Sequence, residues 1–403
     1  MGAGTAQRGA CLLISGKVRK NMEFVVFAGV LLLLFIFMIV QELIQTKNQE
    51  KLFKKYLREN YGKEPPKEYS LERFARLGSY LERHKEEKQL DDITWNDLGM
   101  DEVFRRIDRT YSAAGEEYLY YTLRNISCGR EALEHLEEVV NWLQEQENIK
   151  VRIQLLMKRL GHLGKYSLYD YLDNLDYLGE RSNRKIVLGN LLYLPFLLLL
   201  FVQPAMGTIG IVLCMLWHIM TYFREKKVIE PYIISFAYVL RLIDVCEELE
   251  KQKIPAYRRE LDELREALKS LRELRRGAYW VMAGNQGKIG GNPLDILADY
   301  LRMILHLDIF QFNRMLEKLR KKTGQVETML AITGYLDMAI SVGGFRKSLE
   351  GYCIPKLEED TEKAFLHMKK GWHPLLSQPV KTVSGRTEEF CLRGPMLPVN
   401  PRS

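Results

Sequence analysis

Two long apolar blocks constrain the fold of this 403-residue chain more than any other feature of its sequence. The first block, Phe24 to Val40, is uninterrupted, and its length is at the lower limit of the roughly 17–25 residues that span a bilayer. A cleaved signal peptide is the alternative, but no small-x-small cleavage site follows the block. We therefore predict an extracytoplasmic tail over residues 1–22 and a transmembrane anchor over residues 23–44.

The second block, Ile186 to Tyr222, is divided by the turn-forming pair Gln203 and Pro204. This pattern predicts a transmembrane hairpin over residues 186–222, and the alternative is a buried hairpin in a soluble core. Basic residues flank both ends of the block: Arg181, Arg184 and Lys185 before it, and Arg224, Lys226 and Lys227 after it. Because positive charge is retained on the cytoplasmic side, we predict a cytoplasmic body. The chain is then expected in the cell membrane, with its N-terminus outside and membrane lipid as a partner.

The amino-acid composition favours an anionic partner but does not identify which one. Lysine and arginine exceed aspartate and glutamate by seven, which suits an anionic partner such as phospholipid headgroups or nucleic acid. The six cysteines are scattered without a CxxC pair, as in a reduced cytoplasmic protein. The seven histidines form no metal-ligand or catalytic pattern. We therefore predict no catalytic residue, no metal site and no small-molecule substrate.

The remaining sequence has the periodicity of helices. Residues 45–92 are predicted to form a juxtamembrane helical region that is interrupted at Pro65 and Pro66. Asp91 to Leu98, which begins at the end of this region, is expected to be a non-helical link with strand character. Leucine periodicity predicts three further helices after the hairpin: near residues 261–274, over residues 293–322 and over residues 325–349.

A stretch before the hairpin resembles a known family. Residues 107–126 have the sequence IDRTYSAAGEEYLYYTLRNI. An Asp-x-Thr segment that leads through a small residue and a glycine into a helix ending in Leu-Arg resembles the start of the core (lever) domain in MutS-family mismatch-repair ATPases. The matching residues are Asp108, Thr110, Gly115, Leu119, Leu123 and Arg124. Asp108 or Thr110 is expected to cap the helix.

A second resemblance to the same family lies in the C-terminal part of the chain. A helix with Leu336 and Asp337 is followed by an extended segment and then by the sequence GWHPLL from Gly371. In the family, an equivalent helix closes the lever domain and a Gly-x-His-Pro-Leu-like turn opens the ATPase domain. The residues that would mark this opening are Gly371, His373, Pro374 and Leu375. The order and spacing of both stretches resemble the family from Ile93 to about Pro379.

The resemblance implies an all-α fold in which a transmembrane anchor precedes a helical lever domain that the hairpin interrupts. The lever domain would comprise residues 93–180 and 223–355, and residues 356–380 would form a stub of an α/β ATPase domain. The membrane segments resemble a membrane-anchored subgroup of the family. An intact relative is expected to be a homodimeric ATPase that uses ATP and Mg²⁺, with DNA as the partner that the family suggests. The rival hypothesis is a membrane-anchored helical scaffold that binds protein partners.

The last residues depart from the family pattern. Residues 381–403 are polar and proline-rich, and they contain no G-x-x-x-x-G-K-[ST] phosphate loop, so ATP hydrolysis by this chain is not expected. Leu392 to Ser403 can be encoded by a set of codons that also encodes TGPNASGKSTF when the reading frame is shifted by two nucleotides. This second translation contains an intact phosphate loop. We therefore predict that residues 381–403 are a loosely packed, frameshifted tail, produced by a mutation or a sequencing error between Val380 and Phe390.

Overall fold

The computed structural model of the chain is mostly helical. It describes residues 36–41, 44–63, 69, 71–86, 88–126, 129–162, 167–272, 293–356, 366–371, 373, 375 and 382–386. The first half of the body contains α1 (44–60), α2 (Leu71–Arg83), α3 (Asp92–Asp97), α4 (Met100–Ile107), α5 (Ala113–Arg124), α6 (Arg130–Glu145), α7 (Glu147–Leu160) and α8 (Leu168–Asp173). The later elements are α9 (Arg184–Leu191), α10 (Tyr193–Val202), α11 (Pro204–Glu250), α12 (Arg258–Leu271), α13 (Pro293–Leu305), α14 (Leu307–Arg320), α15 (Thr323–Ser348), β1 (Leu366–Gly371) and β2 (Thr382–Arg386).

Most of the predicted N-terminal anchor lies outside the described residues, and so does the predicted tail over residues 1–22. Within the anchor, residues 36–41 are helical and expose Ile36, Phe37 and Val40. The charged helix expected after the anchor is present as α1, where Lys54 forms an ion pair of 2.5 Å with Glu50 one turn earlier. A helix is therefore present where the sequence predicted one.

Helices α9, α10 and α11 form a helical hairpin. Gln203 has φ −139° and ψ 87°, which ends α10, and Pro204 occupies the first position of α11, where its missing N–H breaks no helical hydrogen bond. The two arms approach closely at Gly207, where a Cβ atom would lie 2.6 Å from the backbone nitrogen of Leu200. The turn at Gln203 and Pro204 is where the sequence predicted it.

The outer surface of this hairpin is apolar. Large side chains that are exposed on it include Leu188, Leu191, Leu194, Leu198, Phe201, Val202, Met206, Ile209, Leu213, Leu216, Trp217 and Met220. The most apolar 18 residues of Arg184–Val202 and of Pro204–Glu230 have mean hydropathies of 2.1 and 1.6, and only 6% and 28% of these stretches are buried. A helix of 19 residues extends about 28 Å, close to the ~30 Å hydrocarbon thickness of a bilayer. Both arms are long and apolar enough to cross a membrane.

Helix α11 continues far beyond the hairpin. It is 47 residues long, so the predicted limit of the hairpin at Tyr222 lies inside one continuous helix. From Ile229 onward most of its apolar side chains, such as Phe236 and Leu249, are buried in the body. One helix therefore belongs to both the hairpin and the body, and it joins them without a linker.

Helix α15 lies at the centre of the body and packs against α5, α6 and α12. It is a third helix that is long and apolar enough to span a membrane, with 26 residues and a mean hydropathy of 1.3 over its most apolar 18 residues. However, 72% of its apolar window is buried by the other helices. The apolar character of α15 is therefore accounted for by its place in the core.

Two expectations about secondary structure are wrong. The segment from Asp91 to Leu98 is not a strand-like link but contains α3, because the Asp91 carboxylate accepts a hydrogen bond of 2.6 Å from the Thr94 N–H and caps the helix. The helix expected over residues 293–322 is two helices, because His306 has a left-handed backbone conformation with φ 54° between α13 and α14. Both errors concern local capping and turn geometry.

Strands β1 and β2 pair in antiparallel register near the C-terminus, with Leu366 opposite Arg386 and Gly371 opposite Thr382. The described chain is therefore mostly helical, and β1 lies within the segment where the sequence placed an α/β stub. Residues 382–386, which the sequence placed in a loosely packed tail, form a paired strand. The rest of that tail, residues 387–403, lies outside the described residues.

Candidate functional site

The residues that resemble the MutS family before the hairpin meet at the link between α4 and α5. Asp108 and Thr110 are fully buried there. The Asp108 carboxylate accepts hydrogen bonds from the Thr110 N–H at 2.9 Å and from the Thr110 hydroxyl at 2.6 Å. The Tyr69 hydroxyl donates to the other carboxylate oxygen. Asp108 thus closes a tight turn after α4 and ties it to the segment that precedes α2.

The cap of α5 is Ser112, so the expectation that Asp108 or Thr110 would cap this helix is wrong. The Ser112 hydroxyl accepts a hydrogen bond of 3.1 Å from the Gly115 N–H. Asp108 lies four residues before Ser112, and its carboxylate instead accepts hydrogen bonds from the backbone and hydroxyl of Thr110. Ser112 is of the residue type most favoured at this position, and it directly precedes the helix.

A carboxylate from the far end of the chain completes the start of α5. Asp337, on α15, accepts hydrogen bonds from the Tyr111 N–H at 3.0 Å, the Ser112 N–H at 2.8 Å and the Ser112 hydroxyl at 2.6 Å. The negative carboxylate faces the positive end of the α5 dipole, which favours it. We call Asp108, Thr110, Ser112, Glu116 and Asp337, all buried, the polar junction.

Gly115 allows α5 and α15 to approach each other at the polar junction. A Cβ atom at Gly115 would lie 2.4 Å from the Asp337 Oδ2 atom, far inside van der Waals contact. On the facing helix, a Cβ atom at Gly334 would lie 2.6 Å from the Ala114 carbonyl oxygen. The glycine of the resemblance is therefore required by a close helix–helix contact.

Glu116 links α5 to α2. Its carboxylate is fully buried and accepts hydrogen bonds from the Arg73 Nε atom at 2.6 Å and the Arg76 Nη2 atom at 2.8 Å. The Nδ1 atom of His162 lies 3.5 Å from the same carboxylate. Removing one partner of such a buried pair typically costs about 3–5 kcal/mol, so this contact holds α2 against α5.

The next residue, Glu117, is a buried carboxyl group on the same helix. The Ser167 hydroxyl donates a hydrogen bond of 2.9 Å to it. Burial raises the pKa of Glu117 to about 8, and the hydrogen bond from Ser167 and the charge of Arg76 oppose that rise. Burial and the nearby charge of Asp108 likewise raise the pKa of Tyr69. Ionisation of Glu117 is therefore coupled to the packing of this region.

The remaining matching residues of this stretch extend from the polar junction along α5. Leu119 packs with Leu77 and Phe104 in a small apolar cluster. Arg124, at the end of α5, donates hydrogen bonds to the Leu90 carbonyl, the Asp92 carboxylate and the Tyr120 hydroxyl at 3.1, 2.7 and 2.6 Å. All these side chains fasten α5 to its neighbours.

The residues that would open the ATPase domain lie elsewhere. Gly371 ends β1, and His373 is exposed, with its Nδ1 atom accepting a hydrogen bond of 3.3 Å from the Leu375 N–H. Pro374 lies outside the described residues. The described contacts do not connect this segment to the polar junction.

The polar junction is a buried structural contact between helices. Its carboxylates face donors from the protein itself and are closed off from solvent. Across the described part of the chain, no group of three or more His, Cys, Asp or Glu side chains could hold a metal ion. The geometry orders four helices, α2, α4, α5 and α15, around one buried network.

Sequence reasoning missed the roles of Ser112, Asp337, Arg73 and Arg76 in this site. A serine immediately before the helical sequence AAGEE is a capping signal that could have identified Ser112. An aspartate inside the apolar sequence around Leu336 could have marked Asp337 as a buried, bonded charge. The pairing of Asp337 with Ser112, 225 residues earlier, has no local signature in the sequence.

The fold and the polar junction define a class of protein. It is mostly helical, it has a buried polar network between helices, and it has helices that are long and apolar enough to span a membrane. Comparison with protein-family models, with curated proteins and with solved structures found no match.

Proposed function

We propose that this chain is the lever part of a MutS-like membrane protein, in which a helical body couples a membrane hairpin to a C-terminal segment. The observation that supports this role is the continuity of α11, which extends from the hairpin turn at Pro204 into the body at Glu250. Because no linker intervenes, movement of the body is transmitted to the hairpin, and movement of the hairpin is transmitted to the body.

The second half of the proposed lever is α15. This helix leads toward the C-terminal strands, and Asp337 fastens it to the start of α5. A displacement at the end of α15 would therefore be carried to the polar junction and on to α2 and α4. Five matching residues of the first stretch have a structural role in this arrangement, as expected for the joint of a lever: Asp108, Thr110, Gly115, Leu119 and Arg124.

The intact relative that we propose is an ATP-driven homodimer with Mg²⁺ at its nucleotide site and DNA as its partner. In this proposal the ATPase domain begins at residue 356, Gly371 marks its entry motif, and the phosphate loop is encoded in the alternative frame near Leu392. The present 403 residues contain no phosphate loop. Nucleotide binding is accordingly assigned to the restored product and not to this chain.

The coding sequence tests this proposal first. We expect the alternative frame near Leu392 to encode GPNASGKST or a close variant, and any other sequence there would contradict the MutS-like assignment. A coding sequence that cannot be restored would favour the rival, a membrane-anchored scaffold for protein partners.

Nucleotide binding provides the second test. The restored product, purified in lipid nanodiscs, should hydrolyse Mg-ATP, and alanine in place of its phosphate-loop lysine should abolish the activity. The 403-residue chain is the matched control, and it should show no ATP binding by calorimetric titration. Micromolar affinity of that shorter chain for ATP would contradict the proposal.

A further inference from the structure

A cavity of about 420 Å³ opens where the hairpin meets the body. Its wall is formed by the segment before α9, the first turns of α9, the middle of α11 and the start of α14. The two candidate membrane spans of the hairpin have their ends farthest from the turn at Arg184 and Glu230. The cavity therefore lies at the level where lipid headgroups would meet the inserted hairpin.

The rim of this cavity is basic. Arg181, Lys185 and Arg224 line it, against the two acidic residues Glu180 and Glu225. Arg181 is already bonded to the Glu225 carboxylate at 2.5 Å, whereas Lys185 and Arg224 are exposed. The N-terminal end of α9 lies at the same rim, and the positive end of its dipole adds to the field. The site is thus suited to an anion.

The other lining residues connect the basic rim to an apolar surface. Trp217 lines the cavity and is half exposed, and tryptophan is enriched at the depth of the membrane interface. Leu188 and Leu191, further along α9, are exposed on the apolar surface of the hairpin. An anion with attached acyl chains would therefore meet both basic and apolar contacts, whereas a free anion would meet only the first.

The floor of the cavity contains an unused hydrogen-bond acceptor. Asn183 donates a hydrogen bond of 3.0 Å to the Phe310 carbonyl, so its oxygen faces Asn313 and accepts 2.9 Å from the Asn313 amide nitrogen. These two bonds fix the orientation of Asn313. Its Oδ1 atom is buried among the lining residues, and no partner for it exists among the described residues. As an acceptor, this atom can bond a headgroup hydroxyl, such as those of phosphatidylglycerol, and not a phosphate oxygen.

We propose that this cavity binds the phosphate group of an anionic phospholipid, with Lys185 and Arg224 as the cationic contacts and Trp217 beside the glycerol backbone. This site would fix the depth of the hairpin at the cytoplasmic face. The inference rests on insertion of the hairpin in a bilayer, and it is independent of any resemblance to the MutS family.

Native mass spectrometry of the full chain, purified in detergent and stripped of lipid, tests the site. Phosphatidylglycerol, phosphatidylcholine and inorganic phosphate are added separately, and the bound adducts are counted. We expect one phosphatidylglycerol to bind at least about tenfold more tightly than phosphatidylcholine, because two basic side chains act on its charge. Equal binding of the two lipids, or binding of inorganic phosphate without lipid, would overturn the proposal.

Two double variants separate this cavity from general surface charge. Lys185→Gln with Arg224→Gln should weaken phosphatidylglycerol binding about tenfold or more. Arg184→Gln with Lys227→Gln removes the same charge from neighbouring exposed positions that do not line the cavity, and it should leave binding within about twofold. An equal loss in both double variants would overturn the proposal.

Insertion is measured separately, so that its failure is distinguishable from failure of the site. Both double variants should remain in the membrane pellet after carbonate washing, since the apolar hairpin is unchanged. Lys185→Arg with Arg224→Lys, which keeps both charges, should retain phosphatidylglycerol binding. Loss of binding in this conservative variant would contradict an electrostatic headgroup site.

Discussion

The Ser112 hydroxyl donates a hydrogen bond of 2.6 Å to the Asp337 carboxylate, across 225 residues of sequence that contain the whole hairpin. The contact closes the body around the hairpin insertion. Because the same carboxylate also accepts the Ser112 N–H, it fixes the start of α5 to the centre of α15. The two halves of the body are therefore one packed unit.

Loss of the Asp337 charge should destabilise the body. Asp337→Asn keeps the size of the side chain but weakens three hydrogen bonds to a buried carboxylate, which should cost about 2–3 kcal/mol. Thermal unfolding in detergent, followed by tryptophan fluorescence, should show a lower midpoint. The exposed Asp97 supplies the control, and Asp97→Asn should change the free energy of unfolding by less than about 0.5 kcal/mol. Equal midpoints for the two variants would contradict the role of Asp337.

Gly115 provides a test of the close contact between α5 and α15. In an open helical position, glycine to alanine stabilises by roughly 0.5–1 kcal/mol. Gly78, in α2, is such a position, because nothing lies within 4 Å of a Cβ atom there. Gly115→Ala should instead destabilise by about 1–3 kcal/mol, since its Cβ would overlap Asp337. If both variants raise the melting midpoint, the described approach of the two helices is wrong.

The raised pKa of Glu117 predicts that the free energy of unfolding depends on pH. Its pKa is raised to about 8 in the folded chain from an ordinary value of 4.5, so the folded state holds a proton that the unfolded state releases between these values. The stability contributed by this protonated form is fully present below about pH 4.5 and is lost as the pH rises through about 8. The melting midpoint should therefore fall between pH 5 and pH 8.

Substitution isolates the contribution of Glu117 to this profile. Glu117→Gln cannot ionise, so its melting midpoint should fall less over the same pH range and should exceed that of the parent chain at pH 8. Glu138→Gln, at an exposed position of α6, should retain the parent slope. Parallel profiles for the parent and Glu117→Gln would show that this carboxyl does not titrate as described.

Periodicity predicted the helices and the hairpin turn because both are local properties. Gln203 and Pro204 are turn formers within the sequence itself, and the leucines of α12 repeat at helical spacing. The break at His306 was missed because a left-handed residue other than glycine has no reliable signal in the sequence. The length of α11 was missed because its surface changes from exposed to buried without a change of secondary structure.

The polar junction was only partly predictable. Asp108, Thr110 and Gly115 were identified from a resemblance, but their physical roles depend on Asp337, which packing brings from a distant part of the chain. Arg73 and Arg76 belong to an amphipathic helix, where basic residues ordinarily face solvent. Tertiary packing, which local pattern does not encode, decides which of these charges are buried.

The most direct measurement of the central claim is the position of the hairpin turn relative to the body. Cysteines are introduced singly at Gln203, Arg181 and Lys227, and intact cells are treated with a membrane-impermeant maleimide, with the parent chain as the background for its native cysteines. If the hairpin crosses the membrane and α11 continues into a cytoplasmic body, Gln203→Cys is labelled in intact cells, whereas Arg181→Cys and Lys227→Cys are labelled only after permeabilisation. Labelling of Gln203→Cys only after permeabilisation would contradict the account.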